Sequence, residues 1–298
     1  MRAVPIFMPS SSTVSAIRRA YLVPPAELAP YVERLWSWEC DGPGPLPLLL
    51  PGTGAELVLH YRCPFLVLGA DGARSLLPPA HLCCLRSYSS PLSASGPVGF
   101  VAVRFRSSAV RHFGGLPMAG LIDRFAPAVE HFGPEVVGLP ERLASLPGLG
   151  ERAAVVFDFL LAALRTWQGQ VGLEDRLVDA LYYGDPAQSV AAMAEATGYS
   201  ARQLERIVGA TTGLSPKRFR RVARLHHTVR YLLLEGRSDY LDAALARGFY
   251  DQAHFIHELK ALAGRAPREV FSREGLMSHF YNPRLRVRGR IGASYCHA

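Results

Sequence analysis

Residues 190–219 and 241–270 carry one pattern twice, and this repeat limits the fold more than any other feature of the chain. The first copy runs Ala194-x-x-x-Gly198-Tyr199-Ser200 and continues through Leu204, Val208, Gly213 and Ser215-Pro216. The second runs Ala244-x-x-x-Gly248-Phe249 and continues through Phe255, Leu259, Gly264 and Ala266-Pro267. Gly198 to Gly248 is 50 residues and Leu204 to Phe255 is 51, so one extra residue enters the second turn. Repetition at a fixed period marks one structural unit used twice. A small residue at 194 or 244 lets a second helix cross closely over the first. Four residues later a glycine supplies the positive φ that ends a helix and turns the chain. The aromatic that follows plugs the corner, and Ser200 or Asp251 caps the next helix. Leu204 and Val208, like Phe255 and Leu259, lie four apart and face a core. The sequence therefore predicts two helix–turn–helix units.

Between the units, Ser215-Pro216 starts a further helix, with serine as cap and proline at its first position. Phe219, Val222, Leu225, Val229, Leu232 and Leu233 keep helical spacing along it. Such a helix is expected to hold the units about 34 Å apart, one turn of a duplex.

Charge follows the repeat. The chain carries +8 overall, but the distribution says more than the total. Between Gly198 and Arg224 stand Arg202, Arg206, Lys217, Arg218, Arg220, Arg221 and Arg224 against the single acid Glu205. The tail adds Arg284, Arg286, Arg288 and Arg290 without acids. Concentrated cationic charge fits a surface that meets phosphates.

The remainder divides by composition. Residues 1–20 lack periodicity and are expected to be flexible. Within a β-rich domain expected over 21–169 and ending in a helix, residues from about 21 to 140 are rich in Pro and Gly, with short apolar runs at Leu46–Leu50, Glu56–Tyr61, Phe65–Leu68 and Phe100–Phe105 that read as strands. Val101, Val103 and Phe105 alternate with Ala102, Arg104 and Arg106, the pattern of a half-buried strand. Glu151–Trp167 carries an amphipathic helical stripe, and Gly169–Gly172 reads as a linker to a second helix over Leu173–Tyr183. The expected fold class is α+β: a small β-rich sandwich or barrel, then an all-α domain over 172–275 with two helix–turn–helix units on a central helix, then a basic flexible tail over 278–298.

The five cysteines, Cys40, Cys63, Cys83, Cys84 and Cys296, are odd in number and form no C-x-x-C pair. Neither a disulfide framework nor a structural zinc site is expected, and Cys83 and Cys84 read as small core residues. No apolar run reaches the length of a membrane span and no signal-peptide h-region is present, so a cytoplasmic protein is expected. His60, Tyr61, Arg62, Trp36 and Trp38 are candidate pocket residues, although aromatics beside strands more often fill a core.

Gly198-Tyr199-Ser200-Ala201-Arg202-Gln203-Leu204-Glu205-Arg206, Gly213-Leu214-Ser215-Pro216-Lys217-Arg218-Phe219 and Gly248-Phe249-Tyr250-Asp251-Gln252-Ala253-His254-Phe255 together resemble the tandem helix–turn–helix domain of the AraC/XylS family of bacterial transcription regulators. The resemblance covers about residues 172 to 275. It extends more weakly to a β-rich domain ahead of it, through Tyr31–Trp36, Pro51–His60 and Val101–Phe105. It implies a sequence-specific DNA-binding regulator whose other domain, over 21–169, senses a small molecule or mediates dimerisation.

By matching position, Ala201, Arg202, Glu205 and Arg206 face base edges in the first unit, and Gln252, Ala253, His254 and Ile256 do so in the second. Arginine suits guanine O6 and N7, and glutamate accepts from cytosine N4; base reading is preferred to phosphate contact for Arg202 and Arg206. Ser200, Lys217, Arg218, Arg221 and His257 are expected at phosphates. His257 stands where the family usually places arginine, a poorer partner for phosphate or guanine, so the second unit is expected to bind more weakly.

The expected partners are double-stranded DNA, a small-molecule effector, RNA polymerase and a second copy of the chain, with no membrane, no cofactor and no metal. A fused enzyme, for example a cysteine alkyl-acceptor in DNA repair, is the competing reading. Cys63-Pro64-Phe65 lacks the Pro-Cys-His-Arg type of motif, and no Gly-x-Ser-x-Gly, His-Glu-x-x-His or phosphate-binding loop occurs. The expectation is a protein without catalytic residues.

Overall fold

The computed structural model describes residues 18–271 apart from 43, 47, 69–71, 117, 186–187 and 236–239. The basic tail at 278–298, most of the N-terminal 20 residues and Cys296 lie outside the described residues.

The N-terminal part is built on β1 (Arg18–Leu22), β2 (Val32–Cys40), β3 (Gly44–Pro45), β4 (Glu56–His60), β5 (Leu66–Leu68), β6 (Arg74–Leu76), β7 (Ala80–Cys83), β8 (Leu92–Ala94), β9 (Val98–Phe105) and β10 (Phe125–Pro127). Among the described residues the strands form two antiparallel sheets, ordered β1-β2-β9-β4-β7-β10 and β3-β8-β5-β6. The larger sheet is covered on both faces. Alternate residues Leu35, Leu57, Leu59, Val101, Val103 and Phe105 pack beneath a helical layer. Their neighbours Trp36, Trp38, Val58, Phe100 and Ala102 pack between the two sheets with Phe65 and Leu92. The helical layer is α1 (Val129–Phe132), α2 (Leu139–Ala144) and α3 (Leu149–Thr166), and Phe132, Leu143, Val156 and Leu160 are its main contributions to the core.

Two expectations change here. Every residue of β9 is buried, so the half-buried strand read from the alternation is a strand with two cover layers. Arg104 can lie inside because Glu56 and Glu33 face it at 3.9 and 3.7 Å. Leu46–Leu50 is not a strand: Leu49 makes one isolated bridge, to Ser90. Pro45, Pro47 and Pro51 have no N–H to give a ladder, which explains the interruption.

The C-terminal part is helical: α4 (Leu173–Tyr183), α5 (Val190–Thr197), α6 (Ala201–Thr212), α7 (Pro216–Glu235), α8 (Tyr240–Leu245), α9 (Gln252–Ala263) and α10 (Pro267–Val270). It packs as two small cores along α7. Leu177, Leu181, Met193, Leu204, Val208, Phe219 and Ala223 form the first, and Leu225, Val229, Ala244, Phe249, Phe255 and Leu259 form the second.

The two parts are joined by buried charge. Asp175, in the first turn of α4, accepts hydrogen bonds from Ser108 Oγ at 2.8 Å, Arg111 Nη2 at 2.9 Å and His112 Nε2 at 3.0 Å. It also accepts the N–H of Gly172 at 2.9 Å, closing the N-terminus of its own helix. Glu33 sits at the register shift in β2 between Val32 and Arg34. A bulge there re-aims the side chain toward Arg34, Arg104 and, from α7, Arg230. Removing one member of a buried ion pair leaves the others uncompensated. Asp175→Ala should therefore lower stability by about 3–5 kcal/mol, read as a fall in the urea midpoint; a fall below about 1 kcal/mol would place the cluster with surface pairs.

Candidate nucleic-acid interface

Both turns of the repeat are built as the sequence requires. Gly198 and Gly248 have φ of 71° and 77°, and Gly213 and Gly264, which end α6 and α9, have 75° and 65°. Only glycine adopts this left-handed region freely. Ala194 and Ala244 are buried where the helices cross, and Phe249 meets Phe255 edge-on with ring centroids 5.3 Å apart. Ser200 Oγ accepts the N–H of Gln203 and Asp251 Oδ1 accepts that of His254, so each second helix is capped.

These constraints decide which side chains face outward. In α6, Leu204 and Val208 are fully buried, while Ala201, Arg202, Glu205 and Arg206 are exposed on the opposite face. Arg202, Glu205 and Arg206 make no ion pair among the described residues. In α9, Phe255 and Leu259 are buried, and Gln252, Ala253 and His257 are exposed. Ile256 is half-buried against the second core. His254 is half-buried too, its Nδ1 accepting the N–H of Tyr250 at 3.2 Å. Sequence reasoning passed over Tyr250, which is 85% exposed. The signal was its place as the extra residue of the second turn.

The basic cluster divides by task. Lys217 and Arg218 are exposed in the first turn of α7. Arg221, expected at a phosphate, forks on Glu258 of α9 through contacts of 2.5 and 3.1 Å. A planar guanidinium fits this two-point geometry, and the pair ties α7 to α9. Arg224 donates to the Gly248 carbonyl at 3.0 Å and lies 4.4 Å over the Phe249 ring, and Arg220 donates to the Asp185 carbonyl at 3.0 Å. Ser200, also expected at a phosphate, spends its hydroxyl on Gln203. The 20-residue α7 spans about 30 Å at 1.5 Å per residue, close to one turn of a duplex.

In the N-terminal part the candidate pocket residues separate. Tyr61 lies under Arg152 at 3.9 Å and donates to Glu39 at 2.7 Å, and Arg62 pairs with Asp41 at 2.8 Å. Trp36, Trp38 and His60 point between the sheets. His60 stands edge-on to Phe65 at 4.3 Å and stacks on His81 at 5.3 Å, and neither of its ring nitrogens has a hydrogen-bond partner among the described residues. Cys83 and Cys84 are buried as expected, and burial pushes the Cys83 thiol up to about 11 and raises that of Cys84 as well. That is the opposite of an activated nucleophile.

Burial also holds His60 well below the ordinary histidine range and brings His81 down to about 4. On α7, burial likewise takes His226 well down and His227 to about 4. An unfolded chain takes up these protons near pH 6.5, whereas the folded chain does not. Stability is thus unaffected above about pH 6.5 and falls as the pH drops toward 4, by at most about 1.4 kcal/mol per pH unit for each histidine. Urea midpoints should fall steeply between about pH 6.5 and 4; a flat midpoint over that range would contradict the burial of neutral imidazoles.

Residues 193–273 match a family described as a helix-turn-helix domain. Residues 21–127 match a family described as a domain of unknown function (DUF6597). No curated protein matches the chain. Among solved structures, ToxT from Vibrio cholerae is similar at 8% identity, over 79% of this chain and 96% of that one, with a TM-score of 0.48. ToxT from Vibrio cholerae O395 bound to (E)-4-(8-methylnaphthalen-1-yl)but-3-enoic acid is similar at 10% identity, over 81% and 98%, with a TM-score of 0.49. A cupin-2 domain protein from Rhodospirillum rubrum is similar at 16% identity, over 35% and 69%, with a TM-score of 0.26. No helix among the described residues is long and apolar enough to cross a membrane. The helix-turn-helix match spans both turns of the repeat, so residues 193–273 form a helix-turn-helix domain, preceded by a β-rich part that matches the domain of unknown function.

Proposed function

We propose that the chain reads a specific operator with α6 and α9 in successive major grooves and that its β-rich part controls that reading. The observation that carries this is the pair of capped helices with Arg202, Glu205 and Arg206 exposed and unpaired on one of them. On that solvent face a free arginine beside a free glutamate leaves a cationic donor and an anionic acceptor open to a ligand. That combination suits an edge that presents acceptors and donors in turn. Ala201, Gln252, Ala253, His254 and Ile256 complete the proposed reading surface, and Lys217, Arg218 and His257 the proposed phosphate contacts. Arg221 serves the complex through Glu258, by fixing α9 on α7.

Gel shifts with operator and scrambled duplexes test this. Wild type should bind with a steep salt dependence. Arg206→Ala should cost about 1–3 kcal/mol on the operator and narrow its margin over scrambled DNA. Lys217→Ala should weaken both duplexes alike and lower the salt slope by about 1. Uniform, sequence-blind binding by wild type would sink the regulator reading.

Control is proposed to come from a small molecule held between the two sheets, where His60 offers an unsatisfied ring among Phe65, Phe100 and the tryptophans. A buried polar group without a partner is costly, and a ligand that supplies one recovers that cost. RNA polymerase and a second copy of the chain are further proposed partners. A thermal-shift screen of metabolites checks the effector: at about 100 times its dissociation constant a ligand adds about 2.7 kcal/mol of stability. The His60→Phe variant, which removes the polar nitrogens, should lose that response.

A further inference from the structure

The first turns of α6 and α9 close their caps with different residues. In a reciprocal cap the third helical residue reaches back to an N–H ahead of the helix, while the capping side chain accepts the N–H of that third residue. In α6 the third residue is Gln203, whose Oε1 accepts from the Ser200 N–H and hydroxyl at 2.9 Å each. In α9 the same place is held by His254. Its backbone N–H donates to Asp251 Oδ1 at 2.7 Å, and its Nδ1 accepts the N–H of Tyr250 at 3.2 Å. Tyr250 is the residue that lengthens the second turn, so the longer turn is what brings an N–H to the ring. Phe249 steadies the imidazole edge-on, centroids 5.4 Å apart.

An N–H pointing at Nδ1 needs a lone pair there. The proton of the neutral ring is therefore on Nε2. Nε2 makes no hydrogen bond among the described residues, so the ring offers one fixed donor from the first turn of a helix proposed to read DNA. The N-terminal residues of such helices are the ones that reach base edges.

We infer that His254 determines specificity in the second unit, as a fixed N–H donor that reads a guanine edge in the major groove. Guanine presents N7 and O6 as adjacent acceptors, adenine sets an amino donor beside its N7, cytosine presents a donor, and thymine sets a methyl group beside its single O4 acceptor. An uncharged donor adds little to phosphate attraction, so its effect falls on choice of sequence. The inference rests on the proposed entry of α9 into a major groove.

Selection of sites from a randomised duplex library by the full chain tests it. His254→Glu keeps an acceptor for the Tyr250 N–H, and with it the cap, but removes the outward donor. It should erase one guanine preference, a change of about 5- to 100-fold at that base pair, and leave the positions read by α6 alone. His254→Gln keeps both cap and donor and should still select a purine there. An unchanged profile in His254→Glu overturns the inference, as does a profile flattened at every position, which marks a purely structural role. Arg206→Ala in parallel separates this from the regulator reading. Should wild type select no sequence, that reading fails and takes the inference with it. Should Arg206→Ala shift the profile while His254→Glu does not, only the inference fails.

Discussion

Glu33 is a carboxylate with its side chain 22% exposed and three arginines around it, and the arrangement of the whole chain depends on it. Burial pushes its carboxyl up, and Arg34, Arg104 and Arg230 outweigh that and bring it down to about 2. Arg34 and Arg104 come from the larger sheet, and Arg230 comes from α7. Charges removed from water are tolerated only with good partners, and here the partner set is complete only when sheet and central helix are docked. Asp175 repeats the logic at the start of α4, where burial raises the carboxyl and bonds from His112, Gly172, Arg111 and Ser108 lower it further than burial lifts it. Docking of the two parts is thus an electrostatic requirement of each.

From that seam the N-terminal part reaches both reading units. Leu85 enters the core of the first unit and Leu50 that of the second. Ser89 donates to the Ala263 carbonyl at the end of α9. At the exit of α6, a Cβ on Gly213 would lie 2.4 Å from Ile122 and 2.9 Å from Ala119, so glycine is needed there for space as well as for φ. Arg86 holds the contacting loops together, donating to the carbonyls of Leu50 and Cys84 and to the Cys83 sulfur. Cys83 ends β7, the strand that also carries His81. A change between the sheets at His60 and His81 therefore has a short covalent path, along β7 into residues 84–90, to a segment that touches both units. On the proposed control by a small molecule, this segment is the connection between the β-rich part and the two units.

How much of this the sequence disclosed varies with the physics. The turns at Gly198 and Gly248 and the caps at Ser200 and Asp251 were legible because each depends on one residue type in one backbone geometry. The span Leu173–Tyr183 was legible because amphipathic periodicity and a glycine boundary agree. The sheets were legible only as strands. Alternation over Val101–Phe105 reads the same whether a second layer covers the polar-looking face or water does, and the bulge that turns Glu33 has no local signature. The charge of Arg221 is legible in the sequence, but its pairing with Glu258, 37 residues on, is not. The part played by Tyr250 is not legible, because an inserted residue looks like slack until its N–H is seen to have an acceptor.

The two units are unequal for a reason that lies in how charge is spent. In the first, the arginines of the reading helix are left free, and the cap is closed by neutral Ser200 and Gln203. In the second, Glu258 of the reading helix is committed to Arg221 and the outward positions hold Gln252, Ala253, His254 and His257, none carrying a permanent charge. On the proposed reading of DNA, attraction for a polyanion is then stronger at one end of a shaft about 30 Å long, and the other end contributes through hydrogen-bond direction. A symmetric dimer reads a palindrome because its two halves are identical. One chain whose first reading helix presents two free arginines and whose second contains no arginine lacks that symmetry. On the regulator reading, its operator has a strong half and a weak half in a fixed order, and the protein sits on it in one orientation only.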